Sequence, residues 1–225
     1  MVYSDALARV HAAGFAPALD EAADWLAAQA EGRAVFDIGC GDGRMLALLA
    51  ERGVVGQGID ISAPFVALAR ARGLNVSQGS CAEALVPDDT GLILALGEVL
   101  NYSDDGSALA TKLIPRLANL PDGTTFIADM LTPDAPPGGG WLSGDGWLVT
   151  ARSHRKGNVY TREIVTFTQS PNGWHREDEI HTQITLSRAD MKQMLDAAGF
   201  TAAFAETLGG ADLLPGRLAV IARKT

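Results

Sequence analysis

The residues best suited to chemistry lie in residues 35–44, whose sequence is VFDIGCGDGR. Its three alternate glycines, Gly39, Gly41 and Gly43, let a backbone turn tightly and approach a ligand without interference from Cβ atoms. Asp60 follows about twenty residues later in GIDIS, where a carboxylate can accept two hydrogen bonds from a ribose diol. Together, the glycine turn and the acidic residue predict a site for a nucleotide-like ligand.

Short apolar strands alternate with helical patterns around this motif, which favours right-handed βαβ units. We expect an α/β fold with a Rossmann-like, doubly wound, mostly parallel seven-stranded sheet and helices on both faces. The predicted strands are 34–38, 56–60, 75–78, 91–96, 124–129, 201–206 and 217–223, and the predicted helices between them are 44–52, 64–72, 107–117 and 188–198.

Two further segments complete the predicted single domain, which spans residues 1–225. Residues 1–31 are Ala-rich and amphipathic and predict two short helices, broken near Gly14 and Pro17, with Leu19, Ala23 and Leu26 on the buried face of the second.

The pattern changes at Pro133. Residues 133–147 contain too many Pro and Gly residues for a regular element, yet they include Trp141 and Trp147, which predicts a shaped lid loop. Strand-like stretches at 148–154, 159–169 and 174–185 then predict a small antiparallel β insertion after strand five. We expect residues 133–186 as a whole to cover the substrate site.

The composition narrows the class of partner. With 27 acidic and 18 basic residues, the net charge of −9 argues against nucleic acid, whose recognition depends on Lys and Arg. Cys40 and Cys81 lack the spacing of a zinc site, so we expect no metal. Without a signal-like N-terminus or an apolar run long enough for a bilayer, the chain is expected to be cytoplasmic, away from membranes, and a monomer or homodimer.

The charge of the glycine turn helps to choose its ligand. A dinucleotide places its pyrophosphate against such a turn, but Asp37 and Asp42 put two carboxylates there, and like charges repel. S-adenosylmethionine has no phosphate and carries an ammonium and a sulfonium, so it suits an acidic turn. An NAD(P)-dependent oxidoreductase remains the alternative, although Arg44 occupies the place of a third dinucleotide glycine.

On these two motifs the sequence resembles the class I S-adenosylmethionine-dependent methyltransferases of the small-molecule type, whose first motif is an acidic residue followed by GxGxG. The resemblance implies that Asp37 helps to hold the cofactor's ammonium, that Asp60 binds its ribose and that Ile61 packs on its adenine. In place of the family's third acidic residue, the sequence has Ser80 followed by Cys81. The remaining residues of the implied cofactor site are Gly39, Cys40, Gly41, Gly43 and Gly97.

The segment GEVLNY, residues 97–102, follows strand four. Because open α/β sheets bind ligands beyond the carboxyl ends of their strands, Glu98, Asn101 and Tyr102 are expected to face the transferred methyl group and the substrate. The family's Asn/Asp-Pro-Pro-aromatic motif for bases or glutamine is absent here.

The last strand of the insertion supplies a second group of candidates. Alternation along this strand places His175, Glu177, Glu179 and His181 on one face. Because these four residues extend over about 20 Å, their side chains are too far apart to bind one metal ion. His181 is a candidate substrate-side base. The alternative interpretation is a solvated face whose acids pair with Arg162 and Arg176. His11 and His154 are expected to be surface or packing residues.

The sequence therefore predicts an enzyme that transfers a methyl group from S-adenosylmethionine to an oxygen or nitrogen of a small molecule by in-line displacement. Glu98, Tyr102 and His181 are the predicted catalytic residues, and Asn101, Trp141 and Trp147 are the predicted substrate contacts. Besides the oxidoreductase, a domain that binds the cofactor without catalysis is the other alternative.

Overall fold

The computed structural model describes residues 3–14 and 20–225. Within them the helices are α1 (Asp5–Gly14), α2 (Ala23–Gln29), α3 (Arg44–Glu51), α4 (Ala63–Ala71), α5 (Ala110–Leu113) and α6 (Arg188–Ala197). The strands are β1 (Ala34–Ile38), β2 (Gly56–Asp60), β3 (Asn75–Gln78), β4 (Thr90–Ala95), β5 (Thr125–Leu131), β6 (Gly139–Gly144), β7 (Trp147–Lys156), β8 (Val159–Ser170), β9 (Gly173–Ile184), β10 (Phe200–Ala205), β11 (Thr207–Leu208), β12 (Ala211–Asp212) and β13 (Arg217–Lys224).

A seven-stranded sheet lies at the centre, with the order β10-β13-β5-β4-β1-β2-β3. The strands from β5 to β3 pair in parallel, and β13 runs antiparallel to both β5 and β10. Every residue of β4 and β5 is buried, as expected of central strands covered on both faces. The predicted α/β fold is confirmed, and the strand order reverses between β1 and β4.

Alternate residues of the central strands supply two cores on opposite faces of the sheet. Phe36 and Ile93 pack with Leu195 of α6 on one face. Val35 and Leu92, their neighbours in the chain, pack with Leu26 of α2 and with α3 on the other. These two cores confirm the doubly wound arrangement, because each face of the sheet is covered by helices.

The antiparallel insertion is confirmed as a four-stranded sheet of order β6-β7-β8-β9, between β5 and α6. The prediction of a loop without regular structure over 133–147 is wrong at β6, where Trp141 pairs with Thr150 of β7. β6 is an exposed edge strand. Its glycines have low strand propensity, but the long neighbouring strand β7 supplies a template that outweighs it.

The helical predictions hold with two qualifications. Ala23 and Leu26 are buried on α2, whereas Pro17 and Leu19 lie outside the described residues. The helix predicted at 107–117 is shorter: α5 gives way to a 3-10 turn over Ile114–Asn119, in which Pro115 has no N–H to continue the α-helical pattern. Within the described part of the chain, no helix is both long and apolar enough to cross a membrane.

Candidate active site

A cavity of about 230 Å³ lies beyond the carboxyl ends of β1, β2 and β4. This is the side of an open α/β sheet where ligands bind, next to the point where the strand order reverses. Its wall contains most of the residues predicted for the cofactor, namely Gly39, Gly41, Asp60, Ile61, Ser80, Cys81 and Gly97, together with Tyr102 from the predicted catalytic set.

The three glycines of the turn after β1 have positive φ angles but different surroundings. A Cβ atom on Gly39 would lie 2.6 Å from Val99, so a side chain there would displace the opposite wall. A Cβ atom on Gly41 would meet no atom within 4 Å, so a side chain would project into open space at the cavity. Gly43 lies outside the cavity, where a Cβ atom would overlap Leu74. It therefore allows α3 to pack closely on the α4 region, and its predicted place beside the ligand stays a prediction.

Asp60 joins the glycine turn to the end of β2. Its Oδ2 accepts a hydrogen bond from the Gly41 N–H at 2.8 Å, and its Oδ1 accepts one from the Ser62 N–H, also at 2.8 Å. Burial raises the pKa of Asp60, while these backbone donors oppose the rise. The carboxyl group thus orients the turn and also forms part of the cavity wall.

Asp37 and Cys40 lie behind the turn and do not line the cavity. Burial, together with the charge of Asp60, raises the pKa of Asp37 to about 7. Burial likewise raises the pKa of the Cys40 thiol, and that of Cys81 to about 12, so both thiols stay protonated at neutral pH. Asp42 forms an ion pair with Arg72 at 2.6 Å, so its charge is compensated and no longer argues against a pyrophosphate.

Tyr102 brings a polar group to the opposite wall. Its hydroxyl lies 2.9 Å from that of Tyr3, which also lines the cavity, and 3.4 Å from Nδ1 of His181. The His181 ring is 1% exposed and lies outside the cavity, with its Nε2 3.1 Å from Oε2 of Glu179. Burial raises the pKa of both tyrosines, so their hydroxyls remain protonated.

Several solved structures that resemble this chain are methyltransferases. An S-adenosylmethionine-dependent methyltransferase from Clostridium acetobutylicum has a TM-score of 0.78 and 14% identity, and the match covers 97% of each chain. A sugar N-methyltransferase from a Streptoalloteichus species has a TM-score of 0.76 and 22% identity over 98% of this chain and 92% of the other. An amino pentose methyltransferase from Micromonospora echinaspora, solved with S-adenosylmethionine bound, has a TM-score of 0.75 and 22% identity over 100% and 98%.

The chain has the fold of these methyltransferases. A sequence profile described as methionine biosynthesis protein MetW matches residues 21–90, which contain the glycine turn and Asp60. No curated protein sequence matches the chain.

Glu98 is brought near the site of the methyltransferase fold but is turned away from the cavity. It has a left-handed backbone conformation, with φ of 62°, and its carboxylate is buried among three side chains. Arg162 lies 3.2 Å away, Arg217 lies 2.6 Å away, and Gln183 donates a hydrogen bond at 3.1 Å. Its predicted catalytic contact is therefore not seen, since the carboxylate joins the insertion to the sheet.

Asp129 supports the loop that carries Glu98. It accepts hydrogen bonds from the backbone N–H groups of Gly97 and Glu98. Burial, then the charge of Glu98, raises the pKa of Asp129 to about 6. The buried acid thus fixes Gly97 at the cavity wall without reaching the cavity itself.

The Asn101 amide is fully engaged with backbone. Its Nδ2 donates to the carbonyl oxygens of Leu131 and Ile184 at 2.9 and 2.7 Å, and its Oδ1 accepts from the Leu131 N–H at 2.7 Å. The side chain ties the end of β5 to the end of β9. The structure therefore does not bring Asn101 to the cavity, where substrate contact was predicted.

The two predicted tryptophans lie elsewhere on the methyltransferase fold. Trp147 packs beside Leu7 and Val10 of α1 in an apolar cluster, and Trp141 is 69% exposed on the edge strand β6. Trp141 lines a separate groove of the insertion with Tyr160 and Arg162. Neither tryptophan lines the cavity beside the glycine turn, and their roles as substrate contacts stay predictions.

Sequence reasoning missed the aromatic part of the wall, formed by Tyr3, His11 and Phe65. The Tyr3 and Phe65 ring centroids are 4.8 Å apart, and those of His11 and Phe65 are 5.5 Å apart. Burial lowers the pKa of His11, which was predicted to be a surface or packing residue. Its ring packs on Phe65 and also lines the cavity. A rim residue, Lys112, was also missed. Among residues 3–14 and 20–225, no group of three or more His, Cys, Asp or Glu side chains could hold a metal ion.

Proposed function

We propose that the protein is an S-adenosylmethionine-dependent methyltransferase that acts on an oxygen or nitrogen atom of a small molecule. The observation that carries this proposal is the cavity in which the open turn at Gly41 faces the buried Asp60 carboxyl, within a methyltransferase fold.

The residues of the wall fit this cofactor. Gly41 and Gly97 have positive φ and leave open space where a Cβ atom would stand, so they form a cradle for a ligand. Asp60 offers a carboxyl group to a ribose diol, and Ile61, which is 39% exposed, offers an apolar surface to an adenine ring. Asp37 places a second acid behind the turn, which favours a cationic ligand such as an ammonium.

When bound, S-adenosylmethionine supplies a methyl group that is already activated as a sulfonium. The chain therefore needs chiefly to orient the acceptor and exclude water, and good orientation alone can contribute about 7–11 kcal/mol. The aromatic side chains of Tyr3, Phe65 and Tyr102 form an enclosing wall, and the tyrosine hydroxyls offer hydrogen bonds to a polar acceptor. Among the similar structures, one is named a sugar N-methyltransferase and one an amino pentose methyltransferase, so amino sugars are the first acceptors to test.

Binding of the demethylated product, S-adenosylhomocysteine, tests the cofactor assignment. At 100 times its dissociation constant, it should raise the free energy of unfolding by about 2.7 kcal/mol, visible as a rise in Tm. An unchanged Tm in folded protein with either S-adenosylhomocysteine or S-adenosylmethionine would contradict the proposal. Titration with NADH, followed by fluorescence, tests the oxidoreductase alternative.

Two variants locate the site. Asp60→Ala should weaken binding by about 1–3 kcal/mol, the usual range for a lost charged hydrogen bond, or roughly fivefold to more than a hundredfold. The matched control Asp89→Ala removes an exposed carboxylate outside the cavity and should leave affinity unchanged. Turnover with a panel of amino sugars, other amines, acids and phenols then separates an enzyme from a domain that only binds.

A further inference from the structure

Four side chains form a chain of close polar contacts from the cavity to a partly buried carboxylate. The Tyr3 and Tyr102 hydroxyls lie 2.9 Å apart, Tyr102 lies 3.4 Å from Nδ1 of His181, and Nε2 of His181 lies 3.1 Å from Glu179. We call Tyr3, Tyr102, His181 and Glu179 the relay residues. Two of them, Tyr3 and Tyr102, line the cavity, and His181 lies behind them.

The positions of the relay residues are set by backbone contacts from separate parts of the chain. Tyr102 forms a β-bridge with Gln183, and the next N–H, that of Ser103, donates to the carbonyl of Thr182 at 3.1 Å. Ser4, next to Tyr3, caps α1 through its side chain and donates its own N–H to Glu179 at 3.2 Å. Both tyrosines are thus anchored to β9, the strand that carries His181.

The chemistry of these groups gives the chain of hydrogen bonds one direction. Hydrogen bonds from His181 and Ser4 hold the pKa of Glu179 below its usual value, although burial opposes this, so Glu179 is an ionised acceptor. Nε2 of His181 must then carry the proton, and Nδ1 of the neutral ring is a bare acceptor facing Tyr102. The Tyr102 hydroxyl then donates its one hydrogen bond to Nδ1 of His181 and accepts a hydrogen bond from the Tyr3 hydroxyl. The Tyr3 oxygen, at the cavity end, keeps a lone pair for a donor from outside.

We propose that the relay residues remove the proton from the acceptor atom that is methylated and deliver it to His181; this inference rests on the proposed function. As the lone pair of the acceptor atom forms the bond to the methyl carbon and the carbon–sulfur bond breaks, the N–H or O–H bond of the acceptor also breaks. The electron pair of that N–H or O–H bond stays on the acceptor atom. The proton passes to Tyr3, the Tyr3 proton passes to Tyr102, and the Tyr102 proton passes to Nδ1 of His181. The imidazolium that results is paired with Glu179, while each tyrosine ends as a neutral phenol.

The relay residues define the class of acceptor. The methylated atom must both donate a hydrogen bond to Tyr3 and lose a proton, as the nitrogen of a primary or secondary amine or the oxygen of a hydroxyl group does. Tertiary amines and thioethers have no such proton and gain nothing from the relay residues. His181 must be neutral to accept, so activity should rise with pH as the imidazolium loses its proton.

Several charged and titratable groups surround the imidazole and contribute to this pH dependence. Glu179, on the same strand, favours the imidazolium, whereas Arg162, the residue opposite on β8, disfavours it. His11 of α1 also interacts electrostatically with His181, and Tyr3 and Tyr102 contact its ring.

A first test needs no acceptor. Long-range proton–nitrogen NMR spectra of protein labelled with ¹⁵N-histidine distinguish the two neutral tautomers of each of the four histidines. The signal of His181 is assigned by its loss in His181→Gln. We expect the Nε2–H tautomer, and a shift of the Nδ1 signal in Tyr102→Phe, which removes one oxygen atom. A proton on Nδ1 of His181, or an Nδ1 signal with the same chemical shift in Tyr102→Phe, would overturn the proposed role of the relay residues.

A second test uses the compound of the acceptor panel that turns over fastest. His181→Gln should lower kcat about 100-fold to 10,000-fold and abolish the rise of kcat with pH, while the KM for the acceptor stays within about threefold. Tyr3→Phe and Tyr102→Phe should also lower kcat, since each breaks the chain of hydrogen bonds without removing a ring.

Two further variants control for this result. His175 lies 3.4 Å from Glu177 on the same strand but is 66% exposed, so His175→Gln removes a similar pair outside the site and should leave kcat unchanged. Glu179 is a positioning residue, and Glu179→Gln should move the rising part of the pH profile to lower pH because the imidazolium loses its charge partner. Equal kcat in His181→Gln and His175→Gln would overturn the inference.

The two proposals fail in different ways. Loss of the proposed function would show as absent binding of S-adenosylhomocysteine by the unmodified protein. Loss of the relay alone would show as normal binding and turnover, with the wrong tautomer or with kcat independent of His181. If His181→Gln unfolds the chain, Tyr102→Phe still tests both the tautomer of His181 and the dependence of kcat on the relay residues.

Discussion

Glu98, in the loop after β4, and Arg162 of β8 form an ion pair, with Oε2 and Nη2 3.2 Å apart, that joins the central sheet to the insertion. Arg217 of β13 approaches the same carboxylate from the other side, at 2.6 Å. The Glu98 side chain is 2% exposed and each arginine side chain is 24% exposed. One buried acid thus compensates two cations, and its removal leaves both without this partner.

We expect Glu98→Gln to lower the free energy of unfolding by about 2–3 kcal/mol, at the lower end for a broken buried pair because water reaches the arginines. Urea denaturation measures this. The control Glu163→Gln breaks the exposed pair with Arg152 and should cost less than about 1 kcal/mol. Equal midpoints for the two variants would show that the buried network does not stabilise the fold.

Asp37 should make the affinity for S-adenosylhomocysteine depend on pH. Its pKa of about 7 in the free protein means that it is largely protonated at pH 6, whereas a ligand ammonium favours the carboxylate. The dissociation constant should therefore fall as pH rises from 6 to 8, with proton release on binding below pH 7. Calorimetry in two buffers of different ionisation enthalpy measures both, and in Asp37→Asn the pH dependence should disappear.

The same carboxyl group should affect stability without ligand. Because the folded pKa lies above the unfolded value of about 3.9, the native state holds a proton that the unfolded state has lost. The contribution of Asp37 to stability is complete below the unfolded pKa and is lost as pH rises towards 7. Asp37→Asn should flatten this part of the stability profile, measured by urea denaturation between pH 4 and 8.

Gly41→Val should abolish detectable binding of S-adenosylhomocysteine, because the side chain projects into the cavity. The matched control is Gly73→Val, since Gly73 also has positive φ and open surroundings but lies on the exposed turn after α4. Both variants should lose about 1–3 kcal/mol of stability from backbone strain. Calorimetry should show a binding defect for position 41 alone, and a shared defect would point to strain rather than to steric exclusion.

Asn101→Ala should destabilise the chain by about 3 kcal/mol, since it leaves three buried backbone groups of β5 and β9 without partners. Thermal and urea unfolding measure the loss. Asn75→Ala, at an exposed position, should change stability by less than about 0.5 kcal/mol. If Asn101 instead serves only the substrate, its replacement will change turnover and leave the unfolding midpoint where it was.

Local patterns predicted the parts of the site that are themselves local. The glycine turn between β1 and α3 needs residues with positive φ at fixed spacing, and Asp60 ends the next strand, so the sequence carries both features directly. The same reasoning placed Glu98 and Asn101 at the correct edge of the sheet. It did not give their side-chain directions, because a strand end fixes the position of the backbone and not the partners available to each side chain.

Tyr102 was predicted to face the substrate, but Tyr3 and Phe65 could not be predicted beside it because the three residues are distant in sequence. Tyr3 precedes the first helix, Phe65 lies in α4, and Tyr102 follows β4. Tyr3 reaches the cavity because α1 docks against β7 and β8 through Leu7 and Val10 and because Ser4 bonds to Glu179 of β9. His181 was singled out by alternation along β9, but its pairing with Tyr102 depends on contacts that no local pattern records.

The hydrogen bond from Ser4 to Glu179 closes a loop of 175 positions in the sequence. Closing so long a loop costs conformational entropy before any stabilising contact is made. The contact between Ser4 and Glu179 should therefore form more slowly than the pairing of strands that are close in sequence. We expect the parallel strands β1, β4 and β5 to assemble first and α1 to dock only after β9 is in place. The cavity then acquires its tyrosine wall as one of the last events of folding, and in hydrogen exchange the amides of α1 should open before those of the sheet.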